Sequence, residues 1–202
     1  MRNRLSQLIS PLGFWAAHLE ILVLCGVLAG AFGFQFLNQE MPCPLCILQR
    51  IFMMLAALGA AWILVSLREG TLDRSDYALG HGMIILSGLC GSFVSIRQIL
   101  LHIVPPDPGY GGTQLGLHLY TWALIVFVCL IGSSGICLLF SDFFLAGHTV
   151  PTPFFWTKGI LALLGVMILA NAITIFFEMG FQFKLPDNPT RYELFHEFEK
   201  RD

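Results

Sequence analysis

The sequence predicts an all-α membrane protein, a bundle of transmembrane helices. Hydrophobic residues make up 56% of the chain and charged residues only 12%, and the mean hydropathy is +0.74. A soluble domain of 202 residues has too little interior to hide that much apolar surface, whereas a bilayer accepts it directly. A membrane-crossing helix needs about 20 apolar residues, and five stretches meet that length: 16–37, 43–67, 77–103, 118–140 and 155–178. The net charge of −2 singles out no partner, and no basic surface for nucleic acid is visible.

The first stretch follows Arg2 and Arg4 and so resembles a secretion signal. Its apolar run is too long for a signal core, and 35–41 lacks a small-residue cleavage pattern, so we read a retained helix. Gly26, Gly30 and Gly33 give it a small-residue face suited to close helix packing, and His18 and Glu20 are expected at the inner interface. The second stretch opens on Cys43-Pro44-Leu45-Cys46. The third has a narrow face of Gly88, Gly91, Ser92 and Ser95, and carries Arg97 near its end. The fifth places Asn171, Thr174 and Glu178 at i, i+3 and i+7, a seam for packing hydrogen bonds with Glu178 at the water boundary.

Helix breakers mark the connections: the polar run 68–76, the Pro- and Gly-rich 104–112, and 147–153 with Pro151 and Pro153. These are turns, so residues 1–178 are read as one transmembrane helical domain and 179–202 as an extramembrane tail, with a short interfacial helix over 192–200. Arg2, Arg4, Arg68, Arg74 and Lys158 fall at one membrane side, while 38–42 and 104–117 contain no lysine or arginine. Positive charge stays in the cytoplasm, so the amino terminus is cytoplasmic. Five spans then put the tail, Cys43 and Cys46 outside, in a bacterium on the periplasmic side, where disulfides persist.

The cysteine pair carries the chemistry. Pro44 suits the first turn of a helix, where its missing N–H is unneeded, so Cys43 falls near the N-cap and Cys46 on the same face. The positive helix end favours thiolate, which is the nucleophile in disulfide exchange. Arg50 continues the stripe at i+4 from Cys46, about 10 Å along the axis from Cys43. A structural disulfide or a metal half-site uses the same spacing. An arginine at that depth needs a partner unless it snorkels to the membrane lipid. Arg97, about 30 Å into the third span, is expected to reach the same level, together with Gln49, Gln98, His102 and His118. Their convergence would hold a quinone head group and stabilise the charge that develops on reduction, although His102 and His118 taken singly read as interfacial anchors.

Cys43-Pro44-Leu45-Cys46-Ile47-Leu48-Gln49-Arg50, following one span and opening the next, resembles the signature of the DsbB family of quinone-dependent membrane thiol oxidases. The resemblance runs more loosely from the first span to Val104-Pro105. It implies a four-helix core, to which this chain adds a fifth span. It further implies exchange at Cys43, quinone-side chemistry at Cys46, and quinone activation by Arg50. Ubiquinone or menaquinone is implied as cofactor and a periplasmic thioredoxin-fold thiol protein as partner, in the bacterial inner membrane.

The chain also departs from the family pattern. Classical members carry a second cysteine pair in the outer loop after the third span, and here Val104 to Leu117 has none. Cys25, Cys90, Cys129 and Cys137 lie within apolar stretches, where cysteine packs as a small hydrophobe. Cys129 and Cys137 stand about 12 Å apart on a straight helix, beyond disulfide reach. Two other readings stay open: an accessory or assembly subunit of a larger membrane complex, and a membrane metal-handling protein using the two thiols as soft ligands.

Overall fold

A computed structural model describes residues 2–145, 154–182, 185–186 and 189–199, with side chains omitted at 2–12, 154, 182 and 199. The expected turn over 147–153 lies outside the described residues, as do Lys184, Lys200 and Arg201. The elements run α1 (Arg2–Leu37), α2 (Pro44–Glu69), α3 (Arg74–Leu101), a two-residue hairpin of β1 (Thr113–Gln114) and β2 (Leu117–His118), α4 (Leu119–Leu139), α5 (Ser141–Leu145), α6 (Phe154–Met179), a 3-10 turn (Gly180–Gln182) and α7 (Glu193–Glu199). Five helices, α1 from Gly13 together with α2, α3, α4 and α6, are long and apolar enough to cross a membrane. The protein is therefore an all-helical, multi-pass membrane protein.

Local chemistry sets the helix ends. Cys43 is extended (φ −71°, ψ 164°), its Sγ accepts from the Cys46 N–H, and Pro44 opens the first turn of α2. At the far end Gly70 takes φ 71° and returns its N–H to Leu67 and Ser66 carbonyls, a left-handed stop that glycine adopts at least cost. Asp73 caps α3 by accepting from the Asp76 N–H at 2.7 Å, satisfying a donor the helix leaves free.

α2 packs along α3, α3 along α4, and α1 along α2, while α6 lies against α1 and α2. Ile21, Leu24 and Leu28 of α1 meet Ala56, Ala57, Ala60 and Leu64 of α2, with Ile84, Phe127 and Leu164 from the other helices. The small residues divide by helix. A side chain on Gly91 would strike the Phe127 ring, and one on Gly59 would strike the Gly80 carbonyl, so α2, α3 and α4 approach closely there. Gly26, Gly30 and Gly33 face open space instead, which corrects the expectation of close packing on that face of α1.

His18 is also not interfacial: it is buried, bonds the Phe14 carbonyl and meets Thr157 at 3.2 Å, pinning α1 to α6. The tail does more than lie at a surface. After the turn at Gly180 (φ 62°), α7 folds back on α6, buries Leu194 and caps the Phe181 N–H with Glu197.

Candidate functional site

The connections α1–α2 and α3–α4 and the tail gather at one end of the bundle, and the cysteine pair sits there. Cys43 and Cys46 are both free thiols, with Sγ atoms 2.6 Å apart, so the 2.03–2.05 Å disulfide bond needs little movement. Gln98 of α3 bridges them. Its amide Nε2 donates to Cys43 Sγ at 3.2 Å and Cys46 Sγ at 3.4 Å, and its Oε1 accepts from Gln49 Nε2 at 3.0 Å. Two donors aimed at two sulfurs favour charge on sulfur, and the α2 N-terminus adds its dipole. The hydrogen bond to Cys46, and then burial, push the Cys43 thiol well above the usual cysteine range.

Arg50 is buried and paired. It donates to Gln35 Oε1 at 2.7 Å and the Ala31 carbonyl at 3.1 Å, and its guanidinium lies 5.3 Å from the centre of the Phe32 ring. These contacts hold the cation inside the bundle, where an unpaired one would be costly. Gln35 in turn donates to the Tyr192 hydroxyl of the tail at 3.1 Å. Beside these groups lies a cavity of about 320 Å³ lined by Cys46, Gln49, Arg50, Met53, Phe34 and Tyr110, among others. A second cavity of about 520 Å³, further along between α1 and α4, shares Trp122 and Val126 with it.

The expected niche is thus assembled from a partly different set. Cys43, Cys46, Gln49 and Arg50 come together, but Arg97 does not join them: it is exposed on the outer face of α3. The reason is helical phase. Gly88, Gly91 and Ser95 form the buried face of α3, and the next position on that face is Gln98, whereas Arg97 is rotated about 100° away from Gln98. His102 also stays outside the cavity lining. It pairs with Asp107 at 2.9 Å and stacks on Tyr120, which His118 stacks from 5.0 Å.

The outer connection covers the pair. Tyr110 donates to the Met41 carbonyl at 2.6 Å, and Glu40 accepts from the Gly112 N–H at 3.0 Å. Burial pushes the Tyr110 hydroxyl above its ordinary range, so it remains a donor at neutral pH. Cys43 beneath is 6% exposed. Among the described residues no three His, Cys, Asp or Glu side chains come together as a metal-binding group.

A buried dithiol at a helix tip, bonded by amides and flanked by a cation and an apolar cavity inside a helical membrane bundle, defines a membrane protein of thiol–disulfide chemistry. Residues 14–111 match the family described as disulfide bond formation protein DsbB. A disulfide bond formation protein B of Chromobacterium violaceum is 34% identical over 155 residues, covering 73% of this chain and 86% of that one. Namesakes from Burkholderia pseudomallei (33% over 84 residues) and Chromohalobacter salexigens (36% over 87 residues) cover 42% and 43% of this chain and about half of their own lengths, 47% and 49%. The chain belongs to the DsbB family, whose members are disulfide bond formation proteins of the membrane. No solved structure matches it.

Proposed function

We propose that this protein is a thiol:quinone oxidoreductase of the bacterial inner membrane, passing electrons from a periplasmic thiol protein through Cys43 and Cys46 to a membrane quinone. One observation carries the reading: of two free sulfurs 2.6 Å apart, Cys46 opens on a cavity whose polar lining includes Gln49 and Arg50 beside Glu40, Tyr110 and Tyr120. The cavity volume and its apolar lining suit a flat lipophilic head group, and the second cavity offers room for an isoprenoid chain. Bound there, ubiquinone or menaquinone supplies an acceptor for two electrons and two protons.

The chain's own residues divide the work. Cys46 carries the thiolate that faces the acceptor, and Gln98 and Arg50 hold negative charge at that sulfur and beside it. Cys43 is the exchange sulfur. A partner thiolate attacks Cys43 of the disulfide form, breaking the Cys43–Cys46 bond and leaving the electron pair on Cys46 as thiolate. The partner's second thiolate then displaces Cys43, which leaves as a thiol after taking a proton. Because Cys43 is covered, the Tyr110 connection must open for the partner to dock directly on the motif, without the second cysteine pair of the family. The bundle of 1–178 spans the membrane five times with the 179–202 tail on the periplasmic side.

The test is turnover by the purified chain in lipid discs, given a reduced thioredoxin-fold protein and a short-chain ubiquinone. Quinone absorbance should fall with wild type and hold steady with Cys46→Ser. Equal turnover by both proteins would remove Cys46 from the mechanism.

A further inference from the structure

Glu178, near the end of α6, is 1% exposed, and neither carboxylate oxygen has a hydrogen-bond partner among the described residues. Such a group has a large cost to meet, and a buried ionisable residue without a bond inside a membrane bundle commonly handles protons. Its surroundings point to one site. α6 packs against α1 and α2, which leaves Glu178 near enough to Arg50 and Cys46 of α2, and to Tyr110 of the outer connection, for their charges to bear on one another. From α1 the site receives the neutral Gln35, and the tail adds Tyr192, whose hydroxyl accepts from Gln35. Of the tail acids, Glu197 is engaged with the Phe181 N–H and Glu193 with Arg191.

Arg50 gives its hydrogen bonds to neutral oxygens, those of Gln35 and Ala31. Of the groups whose charge bears on this one buried cation, the Cys46 thiol and the Glu178 carboxyl come first, ahead of Tyr192 and Cys43, and charge balance favours one anion beside it at a time.

Building on the dithiol chemistry above, we propose that Glu178 is the proton store of the dithiol site, coupled to Cys46 through the charge of Arg50: it holds a proton while Cys46 is a thiolate and releases it when that thiolate is consumed. The balance closes. Forming the Cys43–Cys46 disulfide breaks the Cys43 S–H bond, delivers two electrons to the quinone and frees one proton. Hydroquinone needs two protons; the one that Glu178 releases to the site makes up the second, and the carboxylate left behind neutralises Arg50. Reduction of the disulfide by the partner restores the Cys46 thiolate and returns the proton to Glu178. The fifth helix and the tail that closes over it therefore belong to the site.

Two measurements on the full chain in lipid discs, neither using quinone, test this. Diamide oxidation of the wild-type dithiol, followed by infrared difference spectroscopy, should show loss of a protonated-carboxyl band that is absent in Glu178→Gln. An unchanged carboxyl region on oxidation overturns the proposal, with no variant needed. Cys46 alkylation followed by mass spectrometry across about pH 5 to 10 should give a broad profile in wild type and Glu178→Asp. In Glu178→Gln it should give a steeper one, about threefold faster near neutrality, which corresponds to roughly half a pH unit. A Gln profile superimposable on wild type overturns the proposal. Since diamide replaces quinone, the role of Glu178 is tested even in a protein that fails to reduce quinone.

Discussion

Replacing Gln98 with methionine, close in volume and without an amide, isolates the contribution of the bridge between the sulfurs. Four contacts disappear: donation to Cys43 at 3.2 Å, donation to Cys46 at 3.4 Å, acceptance from Gln49 at 3.0 Å, and a long acceptance from the Cys46 thiol at 3.9 Å. A hydrogen bond to a charged group contributes about 1.5–3 kcal/mol. The bond to Cys46 is long and shared with Cys43, so about 1.5 kcal/mol applies, roughly a tenfold loss of thiolate at fixed pH. Gln49 Nε2 is left buried without its acceptor, a further cost of about 1–3 kcal/mol in stability. Cys46 alkylation followed by mass spectrometry at a pH where wild type is partly ionised should therefore slow about tenfold, with a lower melting temperature. A Cys46 rate within about twofold of wild type would show that the amide does not support charge on this sulfur.

Other consequences can be checked separately. Arg97→Ala should leave quinone reduction close to wild type, whereas Arg50→Ala should lower it at least about tenfold, because a buried charge contact is worth more than about 1.4 kcal/mol. Gly91→Val should cost about 1–3 kcal/mol by overpacking against Phe127, seen as a fall in melting temperature, while Gly26→Ala, with open space around it, should not. Asp107 accepts from the Gly109 N–H and then from His102, which hold its carboxyl below the usual carboxylate range. Its contribution to the outer connection is therefore complete above the ordinary range and is lost as pH falls through the depressed value. Amide exchange at Gly109 should stay slow near neutrality and, after correction for intrinsic rates, speed up only in strong acid.

How much of this was legible in the sequence depends on the periodicity involved. Apolar length alone gives the five helices, because a bilayer imposes one length on all of them. Pro44 and the two cysteines give the helix tip, since first-turn proline and N-cap geometry are local rules. The niche required phase as well as depth: Arg97 and Gln98 are equally deep, and only the face running from Gly88 through Gly91 and Ser95 selects Gln98. That signal was present in the small residues and points away from the charge. Gln35, Tyr110, Tyr192 and Glu178 carry no such signal. They reach the site because the outer connection and the tail fold back over it, which is tertiary structure that no helical period encodes. Glu178 reads as a residue at the water boundary until the turn at Gly180 brings α7 over that end of α6.

The proposed activity depends on Cys43 and Cys46 exchanging electrons with a lipid-soluble acceptor. The direct measurement is a count of free thiols in the reduced, purified chain before and after one equivalent of short-chain ubiquinone, without any protein partner. The prediction is loss of two thiols, a Cys43–Cys46 disulfide in the peptide map, and one hydroquinone formed. Two thiols still free, with the quinone still oxidised, would contradict it.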